Sequence, residues 1–327
     1  MNGKSHKSDY AGNFFTRTAE VKIAIIGAGA MGSLFAFLLH RAGHPAWLLD
    51  NDRERVATIR QGGLTLEDST GSTRLAISTV TTDPGDIGAA DLVIVFVKSY
   101  DTEEALESAL SLFHEETVVL TLQNGLNNLK TIAGVTGRDR LLGGTTAHGA
   151  TLLSHGRVRH AGRGETVIGS FTGSAAQETS TVAELFTSAG ITTTVTSDLT
   201  ATLWRKLIIN AAINPLTALT RLSNGEITEH PGLTDIQQSV VNEACAVAGA
   251  EGLTISPGDA LAMVREVCRG TATNKSSMLQ DVVNGKRTEI DYINGAIVAA
   301  GAACHIPTPY NSVLTRLVKA LEGHRSS

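Results

Sequence analysis

The sequence predicts two domains, an α/β domain built on a mostly parallel sheet and then an all-helical domain. The chain has 327 residues, which is long for one ordinary domain. From Val21 onward, short apolar runs alternate with helical patterns, as in successive βαβ units. After about Ser197 strand signals become rare and helical patterns continue almost to the end. We therefore expect a polar tail over residues 1–20, an α/β domain over 21–196 and a helical domain over 197–327.

Composition and charge narrow the class of protein. The net charge is −5, from 27 Lys+Arg and 32 Asp+Glu, so the concentrated positive surface that nucleic acids or anionic membranes require is not expected. No apolar run approaches the roughly 18 residues of a membrane span, and the first residues do not resemble a signal peptide. We expect a cytoplasmic protein. Cys245, Cys268 and Cys304 have neither metal-site nor disulfide-framework spacing, so we expect buried free thiols and no metal.

The individual elements follow in chain order. Val21–Ile26 is the first predicted strand, and a helix through Leu34–Leu39 ends near Gly43, a typical C-cap. The later predicted strands of the parallel sheet are Ala46–Leu49, Leu92–Val97 and Val118–Leu122. Two further runs flank glycines and predict an antiparallel pair, Arg157–His160 with Thr166–Gly169. The predicted helices of the second domain are Leu203–Leu219, Leu233–Gly249, Pro257–Val267 and Thr288–Ala303.

A glycine fingerprint lies between the first strand and the first helix, in the segment Gly27-Ala28-Gly29-Ala30-Met31-Gly32. Gly27 allows a tight turn, Gly29 lets the backbone approach a pyrophosphate, and Gly32 lets helix and strand pack closely. The free amides at the helix start then face the phosphates. A bare GxGxxG is weak evidence, but this one has the strand before it and the helix after it. It predicts a Rossmann-like domain that binds a dinucleotide.

The end of the second strand leaves the choice of dinucleotide open. Asp50 stands where an acid usually binds the ribose hydroxyls of NAD and repels the 2′-phosphate of NADP. Arg53 and Arg55 follow closely, and an arginine in this loop can bind that phosphate.

Two polar residues stand just beyond the ends of consecutive predicted strands. Lys98 comes after the third apolar run, and Asn124 lies just past the next strand. Each alone is ordinary, a solvated lysine and an Asn-Gly turn. Ligands of open α/β sheets bind at the carboxyl ends of the strands, so together the two residues indicate a binding site.

A polar stripe marks the first helix of the second domain. Lys206, Asn210 and Asn214 recur at every fourth position and therefore share one face. This stripe is either exposed to solvent or lines a cleft that binds a polar ligand, because lysine and asparagine are rarely buried without partners.

A second polar segment precedes the last long helix. Asn284-Gly285 should end a helix, and Thr288-Glu289-Ile290-Asp291 has the pattern of a capping box. Taken alone, Glu289 is most simply a first-turn acid that complements the helix dipole.

From Val21 to about Lys319 these segments together resemble the ketopantoate reductase (2-dehydropantoate 2-reductase) family. The matching motifs are GAGAMGS at 27–33, VKSYDT at 97–102, LQNGLNN at 122–128, WRKLIINAAINPLTAL at 204–219, SNGE at 223–226 and SSMLQDVVNGKRTEIDYING at 276–295. The resemblance implies a Rossmann-like domain followed by an all-α domain, as in 6-phosphogluconate dehydrogenase. It also implies NADPH-dependent reduction of 2-oxo-pantoate to D-pantoate, a step towards pantothenate and coenzyme A.

The resemblance also implies roles for individual residues. Lys206 would be the general acid that protonates the substrate carbonyl. The substrate carboxylate and hydroxyls would be held by Asn210, Asn214, Asn224 and Ser277. Lys98, Asn124 and Glu289 would lie near the nicotinamide ribose and the reacting centre, so that Asn124 touches both ligands and Glu289 takes part in catalysis. Ala150 would touch the cofactor through its backbone. The Gly27–Gly32 loop, Asp50 and Arg53 would hold the rest of the dinucleotide, and the acid at Asp50 keeps NAD open as the cofactor.

Two competing functions remain. One is an NAD-dependent D-2-hydroxy-acid dehydrogenase of the same fold, of the mandelate type, which would keep Lys206 but bind a bulkier 2-oxo acid. Retention of Asn210, Asn214, Asn224 and Ser277 favours a hydroxylated aliphatic acid. The other is a non-catalytic sensor that binds the cofactor and a partner protein, and it would need neither Lys206 nor Glu289. A homodimer through apolar faces of the helical domain is compatible with the sequence.

Overall fold

The computed structural model describes residues 21–323, and it confirms an α/β domain followed by helices. The predicted tail over residues 1–20 and the last four residues lie outside the described part. The β-strands are β1 (Ile23–Ile26), β2 (Ala46–Leu49), β3 (Leu64–Asp68), β4 (Gly71–Leu75), β5 (Val80–Thr81), β6 (Leu92–Val95), β7 (Val118–Thr121), β8 (Leu141–Thr146), β9 (Gly149–Ser154), β10 (Arg157–Gly162), β11 (Thr166–Ser170) and β12 (Thr193–Val195). The α-helices are α1 (Ala30–Arg41), α2 (Arg53–Gly62), α3 (Thr102–Glu107), α4 (Asn128–Thr136), α5 (Ala176–Ser188), α6 (Leu199–Thr220), α7 (Pro231–Ala250), α8 (Pro257–Gly270), α9 (Ser277–Val283), α10 (Asn294–Ala303) and α11 (Pro309–Gly323).

The large sheet has the strand order β12-β11-β8-β7-β6-β1-β2-β5. Its neighbouring strands are parallel, except that β8 and β11 are antiparallel. β1 lies between β2 and β6, and Ile23 pairs with Ala46 on one side and with Leu92 on the other. The chain therefore leaves β1 toward one side of the sheet and later continues on the other side. In open α/β sheets, ligands bind at the carboxyl edge of such a switch point.

The large sheet is covered by apolar residues on both faces. Along β1, Ile23 and Ile25 pack into one core with α1, whereas Ala24 and Ile26 belong to a second core on the opposite face. This double burial is why the strand is apolar throughout rather than alternating. A third core lies among the helices of the second half and is built around α6.

A second sheet, with the order β4-β3-β10-β9, lies outside the prediction. β10 pairs with β3 and β9, whereas β11 pairs with β8 and β12 in the large sheet. The predicted antiparallel pair of Arg157–His160 with Thr166–Gly169 is therefore wrong. The short segment between these runs carries the chain from one sheet to the other. Local alternation identified the strands, but their partners are distant in sequence.

The predicted helices are present, with different boundaries. α6 begins four residues before Leu203, because the side chain of Asp198 accepts a hydrogen bond from the Ala201 N–H at 2.9 Å and so caps the helix. The predicted helix over 288–303 is divided into a 3₁₀ turn (Ile290–Tyr292) and α10. α9 ends at Val283, and the Asn284-Gly285 break is confirmed.

The cysteines are free, as expected, and Cys245 and Cys268 are buried. Cys304, which follows α10, is only half-buried, so the expected burial is wrong for this residue. Between residues 21 and 323, we find no helix with the length and apolar character needed to cross a membrane.

Candidate active site

The loop between β1 and α1 has the geometry that the fingerprint predicts. Gly27 has φ +103°, and a Cβ there would lie 2.9 Å from the backbone nitrogen of Val97. A Cβ at Gly32 would lie 1.8 Å from the carbonyl oxygen of Gly27. Only glycine fits at these two positions, because any side chain would collide with backbone atoms. Gly29 differs, because no atom lies within 4 Å of its Cβ position, which faces open space.

The N-terminus of α1 opens onto that space. Within residues 21–323, the backbone N–H groups of Ala30, Met31 and Gly32 have no hydrogen-bond partner. The first turn of this 12-residue helix contains no acid, and Gly29 contributes no side-chain cap. Unpaired amides and the positive end of the helix dipole favour an anion here. Open space beside Gly29 and free amides are what a pyrophosphate requires.

Asp50, at the end of β2, is fixed against this loop. Its Oδ2 accepts a hydrogen bond from the Ala28 N–H at 2.7 Å, and its Oδ1 accepts one from the Asp52 N–H at 3.0 Å. The guanidinium of Arg55 lies 2.8 Å from both oxygens. Arg53, the arginine assigned to the coenzyme by the resemblance, is exposed and makes no ion pair within the described chain. The charge of Asp50 is thus offset by Arg55 rather than by Arg53.

Residues that follow β6 and β7 meet the helical half of the chain at Glu289. The Ser99 N–H and hydroxyl both donate to Glu289 Oε1, at 3.0 Å and 2.8 Å. Asn124 Nδ2 donates to Glu289 Oε2 at 3.4 Å. Lys98 Nζ lies 3.7 Å from Glu289 and forms a 2.6 Å ion pair with Asp281 of α9. One carboxylate thus joins two strand ends of the large sheet to the helices.

The interpretation of Glu289 as a first-turn acid is wrong. Glu289 is buried and precedes a 3₁₀ turn. The Ile290 N–H at the start of that turn donates to the hydroxyl of Thr288. A buried carboxylate requires compensating partners, and they come from another part of the chain: Ser99 and Asn124 donate hydrogen bonds, and Lys98 supplies a nearby positive charge. Those tertiary partners outweigh the capping box that the local sequence suggests.

The polar stripe of α6 faces the protein interior at two of its three residues. Asn210 and Asn214 are more than nine-tenths buried, so the exposed-stripe interpretation is wrong for them. Asn210 Nδ2 donates to Asn124 Oδ1 at 3.1 Å, which connects α6 to the sheet edge. The side chains of Lys206 and Asn214 have no hydrogen-bond or ion-pair partner in the described chain.

The two lysines of this region have different electrostatic environments. Burial lowers the pKa of Lys206, and no carboxylate opposes the effect. Burial also disfavours the charge of Lys98, but Glu289 and Asp281 outweigh it and raise the pKa of Lys98. Burial raises the pKa of Asp281, although Lys98 acts against this shift. Lys98 is therefore held in its charged form, whereas Lys206 releases its proton more readily than an ordinary lysine does.

Two further predicted residues, Asn224 and Ser277, make no hydrogen bond to the residues around Glu289 in the described chain. Asn224 donates to the Thr271 hydroxyl at 2.8 Å, and its Oδ1 is buried with no partner among residues 21–323. Ser277 is exposed at the start of α9, next to Ser276, which caps that helix and bonds Thr217 of α6 at 2.6 Å.

Ala150 lies in β9 of the second sheet, where it is half-buried and pairs with His160. It is therefore also separate from the network around Glu289.

Two residues of the network were not selected from the sequence, Ser99 and Asp281. Ser99 directly follows Lys98 at a strand end, so it shares the position that selected the lysine. Asp281 lies four residues after Ser277 on one helical turn, a spacing that puts both on the same face. Within residues 21–323, no three His, Cys, Asp or Glu side chains are grouped as metal ligands would be.

Comparisons with known proteins match almost the whole described chain. Residues 23–173 match the family model "Ketopantoate reductase PanE/ApbA", and residues 198–322 match its C-terminal counterpart. A 2-dehydropantoate 2-reductase of Pyrococcus horikoshii is 40% identical over 304 residues, covering 92% of this chain and 98% of the relative.

Two solved structures are similar throughout. The PanE/ApbA family ketopantoate reductase from Ralstonia eutropha has a TM-score of 0.85 at 34% identity, covering 94% of this chain and all of that one. A D-mandelate dehydrogenase with NADH and anilino(oxo)acetate has a TM-score of 0.89 at 28% identity, covering 92% and 98%.

Proposed function

The chain belongs to the ketopantoate reductase family, and on this premise we propose that it reduces 2-dehydropantoate to D-pantoate with a nicotinamide coenzyme. The reaction would serve pantothenate and coenzyme A biosynthesis in the cytoplasm. The observation that carries the proposal is the environment of Lys206. Lys206 has no carboxylate paired with it among the described residues. It lies on the same face of α6 as Asn210, whose Nδ2 donates to Asn124 at the sheet edge.

The residues at the sheet edge fit a dinucleotide. The Gly27–Gly32 loop offers open space at Gly29 and free amides at α1, which suit a pyrophosphate. Asp50 and Arg53 would lie at the adenosine end. Lys98, Asn124 and Glu289 would hold the nicotinamide ribose, and the backbone of Ala150 would touch the coenzyme. When bound, the reduced nicotinamide supplies a hydride to the substrate carbonyl.

Lys206 would donate the proton. Hydride addition builds negative charge on the carbonyl oxygen, and an ammonium directed at that oxygen stabilises the charge and then protonates it. Burial brings the pKa of Lys206 closer to neutral, so its ammonium releases a proton more readily than an ordinary lysine does. Glu289 would contribute to catalysis by fixing Ser99 and Asn124 at the reacting end of the site.

The substrate carboxylate and hydroxyls would be bound by neutral side chains. Asn124 and Asn210 are bonded to each other, and Asn214 lies one turn beyond Asn210 on α6. Asn224 and Ser277 would complete the site from the loop before α7 and from the start of α9. These groups hydrogen-bond a polar acid without adding charge that would raise the pKa of Lys206.

We propose NADPH as the preferred coenzyme, with only moderate discrimination against NADH. Arg55 offsets the charge of Asp50, and Arg53 remains unpaired in the described chain and exposed at the start of α2 for a 2′-phosphate. NADH is the second candidate, because Asp50 is fixed at the end of β2, where an acid accepts ribose hydroxyls.

A second candidate function is reduction of a bulkier 2-oxo acid, as in the mandelate-type dehydrogenases. The similar D-mandelate dehydrogenase structure favours it. The asparagines of α6 oppose it, because an aromatic ring would leave buried amides such as that of Asn214 without polar partners.

The test is an assay of the purified enzyme with ketopantoate and with benzoylformate, each with NADPH and NADH. We expect kcat/KM for ketopantoate to exceed that for benzoylformate by at least about a hundredfold. Higher efficiency with benzoylformate would favour the mandelate-type function, and no reduction of either acid would refute both.

A further inference from the structure

Pro215 interrupts the hydrogen-bond ladder of α6 within the polar stripe. Proline has no N–H, so the carbonyl four residues earlier, that of Ala211, loses its helical donor. This carbonyl lies next to Asn210, and Asn214 directly precedes the proline. Two of the proposed substrate-binding residues therefore lie at the two ends of one interrupted turn.

Asn294 supplies the missing donor. Its Nδ2 donates to the Ala211 carbonyl oxygen at 3.1 Å, and also to Asn311 Oδ1 at 3.0 Å. Both neighbours are acceptors, which fixes the orientation of the amide. Asn294 is fully buried, and its own Oδ1 has no partner within residues 21–323. A buried acceptor left without a donor destabilises the fold. We infer that asparagine is nevertheless present at this position because its Nδ2 donates to the Ala211 carbonyl.

The support for Asn294 is itself rigid. Asn311 is fully buried, and its Nδ2 donates to Glu243 Oε2 at 2.7 Å. Asn294 is the first residue of α10, five residues after Glu289. The amide of Asn294 thus ties the segment that carries Glu289 to the turn that carries Asn210 and Asn214.

We propose that Asn294 is a positioning residue, which replaces the backbone donor lost at Pro215 and so orients Asn210 and Asn214 toward the substrate. This inference rests on the proposed function. Asn294 acts through α6 and does not touch the reacting atoms. Asn214 is helical although it precedes a proline, which disfavours the helical conformation of the residue before it, and this makes an external support at that turn more important.

The chain offers a matched control at Gln237 of α7. Its Nε2 donates to the Ala212 carbonyl oxygen at 3.2 Å, and the residue is almost fully buried. Ala212 has the N–H of Leu216 four residues later, so its carbonyl does not depend on the side chain as that of Ala211 does. Gln237→Leu removes a buried donor from the same helix but leaves the proline-linked contact intact.

The experiment compares Asn294→Leu with Gln237→Leu in full-length enzyme. Thermal unfolding, coenzyme Kd, and KM and kcat for the 2-oxo acid that the wild type reduces are measured. We expect both variants to unfold at lower temperature. Only Asn294→Leu should raise KM, by about tenfold or more, with coenzyme Kd changed less than about twofold. Equal kinetic effects of the two variants, or unchanged KM in Asn294→Leu, would overturn the inference.

Pro215→Ala gives a second test if Asn294→Leu does not fold. It restores an N–H for Ala211, so the turn no longer depends on Asn294 alone, and we expect Pro215→Ala to keep KM within about threefold of the wild type. In the Pro215→Ala background, Asn294→Leu should fold and raise KM much less than it does next to Pro215. An equal effect of Asn294→Leu in the two backgrounds would overturn the proposal. A wild type inactive on every 2-oxo acid tested would refute the proposed function instead, and the inference would fall with it.

Discussion

Replacing Gly29 with alanine should separate coenzyme binding from folding. Its φ of −69° and ψ of −163° are accessible to alanine, and no atom lies within 4 Å of the new methyl group. Alanine is a poorer N-cap than glycine, which destabilises the fold by up to about 1 kcal/mol. Alanine also lowers the conformational entropy of the unfolded chain, which stabilises the fold by about 0.4–1 kcal/mol. The two effects oppose each other, so we expect the free energy of unfolding to change by less than about 1 kcal/mol.

Coenzyme binding should change much more. A phosphate oxygen that accepts hydrogen bonds from the α1 amides approaches them to about 2.9 Å, and a methyl group on Gly29 would fill the space beside them. Loss of one charge-assisted hydrogen bond costs about 1.5–3 kcal/mol. We therefore expect Kd for the reduced coenzyme to rise by about 10- to 100-fold.

Coenzyme fluorescence titration and thermal unfolding measure the two effects. Gly134→Ala is the matched control, because Gly134 of α4 also faces open space and lies outside the loop. It should leave the coenzyme Kd unchanged. A Gly29→Ala variant that binds coenzyme as the wild type does would refute the assignment of this space to the pyrophosphate. Gly32→Ala should instead prevent correct folding, since its Cβ would lie 1.8 Å from a carbonyl oxygen.

Three further predictions concern the proposed general acid Lys206, the choice of coenzyme and the dependence of stability on pH. Lys206→Ala should lower kcat by about two to four orders of magnitude while coenzyme Kd holds, and turnover within about threefold of wild type would remove Lys206 from catalysis. Asp50→Ala should raise the ratio of kcat/KM with NADPH to that with NADH, and a wild-type preference for NADH above about tenfold would contradict our choice of coenzyme. Burial, together with the charges of His160 and Arg163, lowers the pKa of His148 from 6.5 to about 4. Between pH 6.5 and pH 4 the unfolded chain therefore binds more protons than the folded protein does. Stability should be complete above pH 6.5 and fall as the pH drops toward 4, by about 1–2 kcal/mol at pH 5, and urea titrations of His148→Gln should show a shallower loss.

Local sequence patterns predicted the parts of the fold that depend on neighbours in the chain. The apolar run of β1, the glycines after it and the break at Asn284-Gly285 have local causes, and the structure has them at the predicted positions. β10 and β11 were each predicted as strands, but their separation into two sheets depends on β3 and β8, which are distant in sequence. Strand partners of this kind leave no signal in a short window.

The candidate site shows the same division. Spacing placed Asn210 and Asn214 on one face of α6, and strand ends selected Lys98 and Asn124. The role of Glu289 as an acceptor for Ser99 was not predictable locally, because the two residues are 190 positions apart. The Asp50–Arg55 pair depends on the side-chain conformation of α2, and the sequence alone left Arg53 and Arg55 equivalent.

The network around Glu289 has a consequence for ligand affinity. A coenzyme or substrate group that hydrogen-bonds Glu289, Asn124 or Lys98 exchanges with a protein partner that is already present, so the net gain from each such contact is small. Lys206 and Asn214 have no protein partner to give up among the described residues, so a ligand there displaces only solvent and gains more per contact. Tight-binding inhibitors should therefore be designed to place their acceptors on Lys206 and Asn214 first, and to leave the pre-formed contacts of Glu289 undisturbed.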